Sequence, residues 1–103
     1  MKELFLKSSH FDKEYYQKNM AENLRLLRAK FSLTQEELCD LIGVSRQTIV
    51  QAENSGKISW VTYLALVQLF SRNEESIKFM KLLNIYPNEF PSFEKNDGNG
   101  KNN

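Results

Sequence analysis

From Asp12 to Phe31 the chain contains neither Gly nor Pro, and Tyr16, Met20, Leu24, Leu27 and Phe31 recur at steps of three and four. One face of an α-helix returns with that period, so the segment predicts a long amphipathic first helix. The pattern leaves its start open: Phe5, Phe11 and Tyr15 either extend the helix or form a separate N-terminal arm packed on the domain or on a partner. A sharper start lies at Thr34, whose hydroxyl can cap a helix while Glu37 reaches back to complete a capping box, with Leu33 and Leu38 as the staple around it. This second helix is expected to reach about Ile42 with Leu38, Leu41 and Ile42 facing inward, and Gly43 supplies the positive backbone angle that ends it.

Ser45 caps a third helix, stapled by Val44 and Ile49 and ended by Asn54-Ser55-Gly56. Ser59 caps a fourth, whose Trp60, Tyr63, Leu64, Val67 and Phe70, or nearby Leu66 and Leu69, make a broad apolar surface. Asn73, followed by Glu74 and Glu75, opens a fifth that uses Ile77, Met80 and either Leu82 or Leu83 and is expected to end at Pro87. After Pro91, the run from Glu94 to Asn103 has no apolar side chain and reads as a disordered tail. The expected fold class is all-α: a compact five-helix domain over 12–87, an N-terminal arm or helix extension over 1–11, and a tail over 88–103.

Composition narrows what such a bundle can do. At 103 residues, 41% hydrophobic and 12% aromatic, the chain suits one domain with a true core. No apolar run approaches the roughly 18 residues of a membrane span, and the N-terminus lacks the features of a signal peptide, so a cytoplasmic protein without a membrane partner is expected. Cys39 is the sole cysteine, which excludes an internal disulfide. It reads as packing, because a redox sensor needs an exposed, acidic thiol with a resolving partner. His10 alone makes no metal site, and no cofactor is expected. With no nucleophile–base constellation, phosphate-binding glycine loop or metal-ligand spacing, an enzyme ranks last among the functions weighed. The 14 Lys and Arg against 13 Asp and Glu leave a net charge of +1, below many DNA-binding domains, so particular contact residues matter more than bulk charge.

The stretch Thr34-Gln35-Glu36-Glu37-Leu38-Cys39-Asp40-Leu41-Ile42-Gly43-Val44-Ser45-Arg46-Gln47-Thr48-Ile49-Val50-Gln51-Ala52-Glu53-Asn54 resembles the Cro and repressor class of helix-turn-helix proteins, also called the xenobiotic response element family. The likeness reaches from about Met20 to Leu83 and implies a lambda-repressor-like domain. Cys39 stands where this family usually places Ala, at the close crossing of two helices, and Leu38, Ile42, Val44, Ile49 and Ala52 would lock the pair together.

The resemblance implies that the third helix enters the major groove, a channel about 12 Å wide. Arg46, Gln47, Val50 and Gln51 are then the base-reading candidates. Arg46 suits guanine O6 and N7, Gln47 or Gln51 suits adenine N6 and N7, and Val50 a thymine methyl. Ser45 and Thr48 beside them, Gln35 at the start of the second helix, and Asn54, Ser55, Lys57 and Ser59 after the third are backbone-contact candidates, with Arg25 and Lys30 as secondary ones. Arg28 and Glu53 match positions that form a structural ion pair in the family.

The implied partner is a double-stranded DNA operator, bound by a homodimer; its contacts are expected from the N-terminal aromatic region or from the fifth helix with Tyr86, Phe90 and Phe93. The competing reading is a protein-interaction module on the same fold, binding a toxin, a kinase or a polymerase subunit as its regulatory partner. Low net charge favours it, while Arg46, Gln47, Gln51 and Lys57 oppose it. Exposed polar residues are most often only a solvated face; the capping, Gly43 and Cys39 pattern sets these apart.

Overall fold

Polar caps divide this chain into helices more firmly than its apolar periods do. The computed structural model describes residues 1–6 and 10–91, which form six helices and no strand: α1 Glu3–Leu6, α2 Lys13–Lys30, α3 Gln35–Ile42, α4 Arg46–Ser55, α5 Trp60–Phe70 and α6 Glu74–Leu82. The part of the expected tail over 92–103, Phe93 included, lies outside the described residues.

Thr34 caps α3 with both halves of a capping box: its hydroxyl accepts from Glu37 N at 3.0 Å, and Glu37 Oε1 accepts from Thr34 N at 3.0 Å. Ser45, Ser59 and Asn73 cap α4, α5 and α6 by accepting from Thr48 N, Thr62 N and Ser76 N. Each cap satisfies an amide that the first helical turn leaves without a carbonyl.

Asp12 accepts from Tyr15 N at 3.2 Å and starts α2 at Lys13, which settles the open start of the long helix. Phe11 therefore leaves the helix and packs as an arm, stacked on Tyr16 at 5.6 Å and on Phe90 at 6.2 Å, with its ring edge-on to Trp60 at 5.8 Å. α1 buries none of its residues, and Leu4, Phe5 and Leu6 are exposed.

The core runs through α2 (Met20, Leu24, Leu27), α3 (Leu38), α4 (Ile49, Ala52), α5 (Tyr63, Leu66, Val67, Phe70) and α6 (Ile77, Met80). Three sequence expectations are corrected here. Leu41 is 44% exposed: the inward direction of α3 lies between Leu38 and Cys39, and at 100° per residue Leu41 falls about 110° from it. Leu64 is 38% exposed, because the buried stripe of α5 is Tyr63, Leu66, Val67 and Phe70 and Leu64 stands on its flank. The last helix ends at Leu82 and not at Pro87. Asn84 adopts the left-handed region at φ 61° and Ile85 N donates to Met80 O at 2.8 Å, turning the chain back before the proline is reached. Of the two alternatives in that helix, Leu83 is half-buried while Leu82 is exposed.

After this turn the chain returns to the core. Ile85 is fully buried, its carbonyl accepts from the Tyr63 hydroxyl at 2.6 Å, and Asn19 Nδ2 donates to Asn84 O at 2.8 Å. Phe90, grouped with the tail by its sequence surroundings, is half-buried, and the Tyr86 hydroxyl donates to Pro91 O.

Candidate nucleic-acid interface

The turn between α3 and α4 is tight because Gly43 takes φ 74°. Its N–H and that of Val44 both donate to Cys39 O, at 2.8 and 3.2 Å, closing the end of α3 before Ser45 opens α4. Cys39, 6% exposed, lies in the core with the fully buried Ile49 and Ala52 of α4. Burial pushes its thiol pKa up, with Asp40 adding to the effect, so Cys39 is a packing group there.

Ile49 and Ala52 pointing inward turn the opposite face of α4 outward. Arg46, Gln47 and Gln51 are exposed, and Val50 and Thr48 are half-buried. Arg46, Gln47, Val50 and Gln51 therefore share one face, and among the described residues no side-chain hydrogen bond or ion pair holds the first two. Ser45 Oγ lies 3.0 Å from Thr48 Oγ1 as well as capping the helix, so those two hydroxyls serve each other first.

The far end of α4 is built in the opposite way. The Glu53 side chain is 0% exposed and accepts from Arg28 Nε at 2.8 Å, Arg28 Nη2 at 3.1 Å and Gln35 Nε2 at 3.0 Å. Arg28 also donates from Nη1 to Leu33 O at 2.9 Å, tying the α2–α3 connection into the same knot. Arg25 Nε adds a longer contact to Glu53 at 3.5 Å, and its Nη2 donates to Asn54 Oδ1 at 3.3 Å. Burial alone would raise the Glu53 pKa; the hydrogen bonds from Arg28 and Gln35 and the charges of Arg28 and Arg25 outweigh it and leave the carboxyl below the usual carboxylate range. The same contact raises the Arg28 pKa.

The structure thus gathers Arg28, Glu53, Gln35 and Arg25 into one network and presents Arg46, Gln47, Val50 and Gln51 on another surface. The Gln35 side chain is turned inward to Glu53, so what α3 presents at this point is the amide end of its first turn. Beyond α4, Ser55 Oγ donates to Gln51 O at 2.6 Å and Ser59 Oγ to Thr62 Oγ1 at 3.0 Å, whereas Lys57 is exposed. Lys30 lies elsewhere, its ammonium 5.3 Å from the Phe79 ring centre. Of the residues expected at a dimer contact, Tyr86 is 6% exposed, and both it and Phe90 pack within their own chain.

Sequence reasoning did not find Gln17, whose Nε2 donates to Ile58 O at 2.9 Å across 41 residues. A polar residue on α2 carries no local sign of such a long-range partner.

Residues 24–69 match the helix-turn-helix family model. The matched segment belongs to the Cro/repressor type of helix-turn-helix. The described residues are all-α, consistent with a lambda-repressor-like domain, and the match supports a DNA-binding transcription regulator. No curated protein and no solved structure matches the chain. Among the described residues no helix is long and apolar enough to cross a membrane, and no cluster of three or more His, Cys, Asp or Glu is placed to hold a metal.

Proposed function

We propose that the chain is a sequence-specific repressor that lays α4 in the major groove of an operator as a two-fold dimer. One observation carries this reading: Arg46, Gln47 and Gln51 project from the exposed face of a helix whose other face is buried and whose last turn is tied down through Glu53. A base-reading side chain needs that combination, because hydrogen-bond discrimination is lost if the helix carrying it can rotate. Arg46 reads guanine, Gln47 and Gln51 read adenine, and Val50 lies against a thymine methyl.

Backbone phosphates are held on either side. The unpaired amides of the first turn of α3, at Gln35 and Glu36, supply one contact, and the positive end of the helix dipole favours it. Lys57, with the amide nitrogen of Asn54, supplies the other, and the hydroxyls of Ser45, Thr48, Ser55 and Ser59 lie beside these groups. The protein acts in the cytoplasm, where its operator is accessible.

Selection from random-sequence duplex DNA, read by sequencing, tests this. An inverted repeat with half-sites about one helical turn apart is the expected result. Arg46→Ala with Gln47→Ala should then abolish preference for that site. No enrichment, or unchanged affinity in the double variant, refutes the reading. The net charge of +1 favours the alternative, a surface that binds a regulatory protein, and the same double variant distinguishes it: a protein-binding module loses no DNA affinity because it has none to lose.

A further inference from the structure

The segment from Glu53 to Trp60 leaves the end of α4, passes through the connection 56–59 and enters α5. α2 runs alongside it and meets it at successive points. Arg28 binds Glu53, Arg25 binds Asn54, Gln17 binds the Ile58 carbonyl, and the Lys13 ammonium lies 5.5 Å from the centre of the Trp60 ring. As the α2 number falls the partner number rises, so the two run antiparallel. Residues 13, 17, 21, 25 and 28 recur at steps of four and three and share one face of the helix. Ala21, at the middle of that row, is 2% exposed, and its small side chain allows close approach.

Gln17 holds the one stretch of this connection whose backbone has no other hydrogen bond among the described residues. Gly56 is fixed by its N–H to Ala52 O at 3.0 Å, and Ser59 by its carbonyl, which accepts from Tyr63 N at 2.9 Å. Between them, the hydrogen bond among the described residues that reaches the backbone is Gln17 Nε2 to Ile58 O. Ile58 itself packs its side chain against the core, so the peptide is held from both sides. Lys57 immediately precedes it and is exposed.

We propose that Gln17 is a positioning residue for the DNA-backbone clamp: by fixing the Ile58 carbonyl it sets the direction from which Lys57 meets a phosphate. Gln17 touches no DNA itself. The inference rests on the assignment of Lys57 under Proposed function and adds a residue of α2 that acts through it. Loss of the hydrogen bond lets the connection between α4 and α5 sample several heights above the duplex, and the charge of Lys57 is then spread over them.

The test uses the full chain and the duplex recovered by selection, with dissociation constants measured over a range of salt for the parent, Gln17→Met, Lys57→Ala and the double variant. Methionine keeps the length and helix propensity of glutamine but cannot donate. Gln17→Met should weaken binding roughly two- to tenfold, the equivalent of one typical hydrogen bond. The slope of log K against log salt should fall in magnitude by up to about one, as for a lost phosphate contact, with base preference unchanged. In the Lys57→Ala background the same substitution should add little, since the group it positions has gone. A parallel thermal melt checks folding. If the methionine variant does not fold, Gln17→Glu replaces it, keeping size and turning the donor into an acceptor that repels the carbonyl, with the same expectation.

Parent-like affinity and salt slope in the variant, or an equal loss with and without Lys57, overturns the proposal. A parent protein that binds no selected duplex refutes the repressor reading first and this assignment with it; binding by the parent with no coupling between residues 17 and 57 refutes this assignment alone.

Discussion

The two ends of α4 differ in almost every physical respect. Its first turn offers Arg46 and Gln47 to solvent, and its last turn sinks the Glu53 carboxylate into a network of donors from α2 and α3. On the proposed function, that difference lets one short helix be both a reader and a part of the core. A ten-residue helix has little stability of its own, so its direction must come from tertiary contacts. The polar contacts are concentrated at the Glu53 end, which leaves the Arg46 end chemically uncommitted.

The contrast breaks most completely at Arg28. Arg28→Ala leaves a fully buried carboxylate without its bidentate partner and should cost about 3–5 kcal/mol of stability, measured by urea unfolding, with DNA affinity lost alongside it. A result below about 1 kcal/mol would mean that the network does not anchor α4. Titrating the same contact gives a smaller effect. Because the folded Glu53 pKa is depressed, its contribution is fully present above the ordinary carboxylate range and is lost as pH falls through the lower, folded value. Melting temperature should therefore fall with acidification in the parent more steeply than in Glu53→Gln, which does not titrate.

At the opposite end, Arg46→Ala should leave the melting temperature nearly unchanged while weakening specific binding by about 1–3 kcal/mol, read by titration of the selected duplex against one changed at a single base pair. Equal losses on both duplexes would assign Arg46 to phosphate and not to a base. The smallest effect belongs to the turn. Gly43→Ala meets no atom within 4 Å but forces a side chain to φ 74°, so it should cost about 1 kcal/mol of stability and leave base preference intact.

Much of this division was legible in the chain itself. Thr34, Ser45, Ser59 and Asn73 each announced a helix start, since capping is a local bargain between a side chain and an amide three residues on. Gly43 marked the turn for an equally local reason. What could not be read was whatever depends on distant partners. Leu41 and Ile42 are neighbours on an eight-residue helix, and the apolar period is too short there to choose between them. Asn84 ends α6 because its carbonyl is awaited by Asn19 and its successor by Tyr63, neither of which lies nearby in sequence. Gln35 looks like any polar first-turn residue until Glu53 is seen beneath it. Gln17 was invisible for the same reason.

The buried phenol of Tyr63 has a practical consequence for anyone trimming this protein. Its hydroxyl donates to Ile85, three residues past the final helix, and burial holds its pKa far above that of a free tyrosine. A fragment cut at Leu82 by helix boundaries alone would strip that acceptor from Tyr63, on which Trp60 stacks, and remove Phe90, on which Phe11 stacks. The shortest version worth making for spectroscopy or grafting keeps everything through Pro91, where the Tyr86 hydroxyl finds its own acceptor.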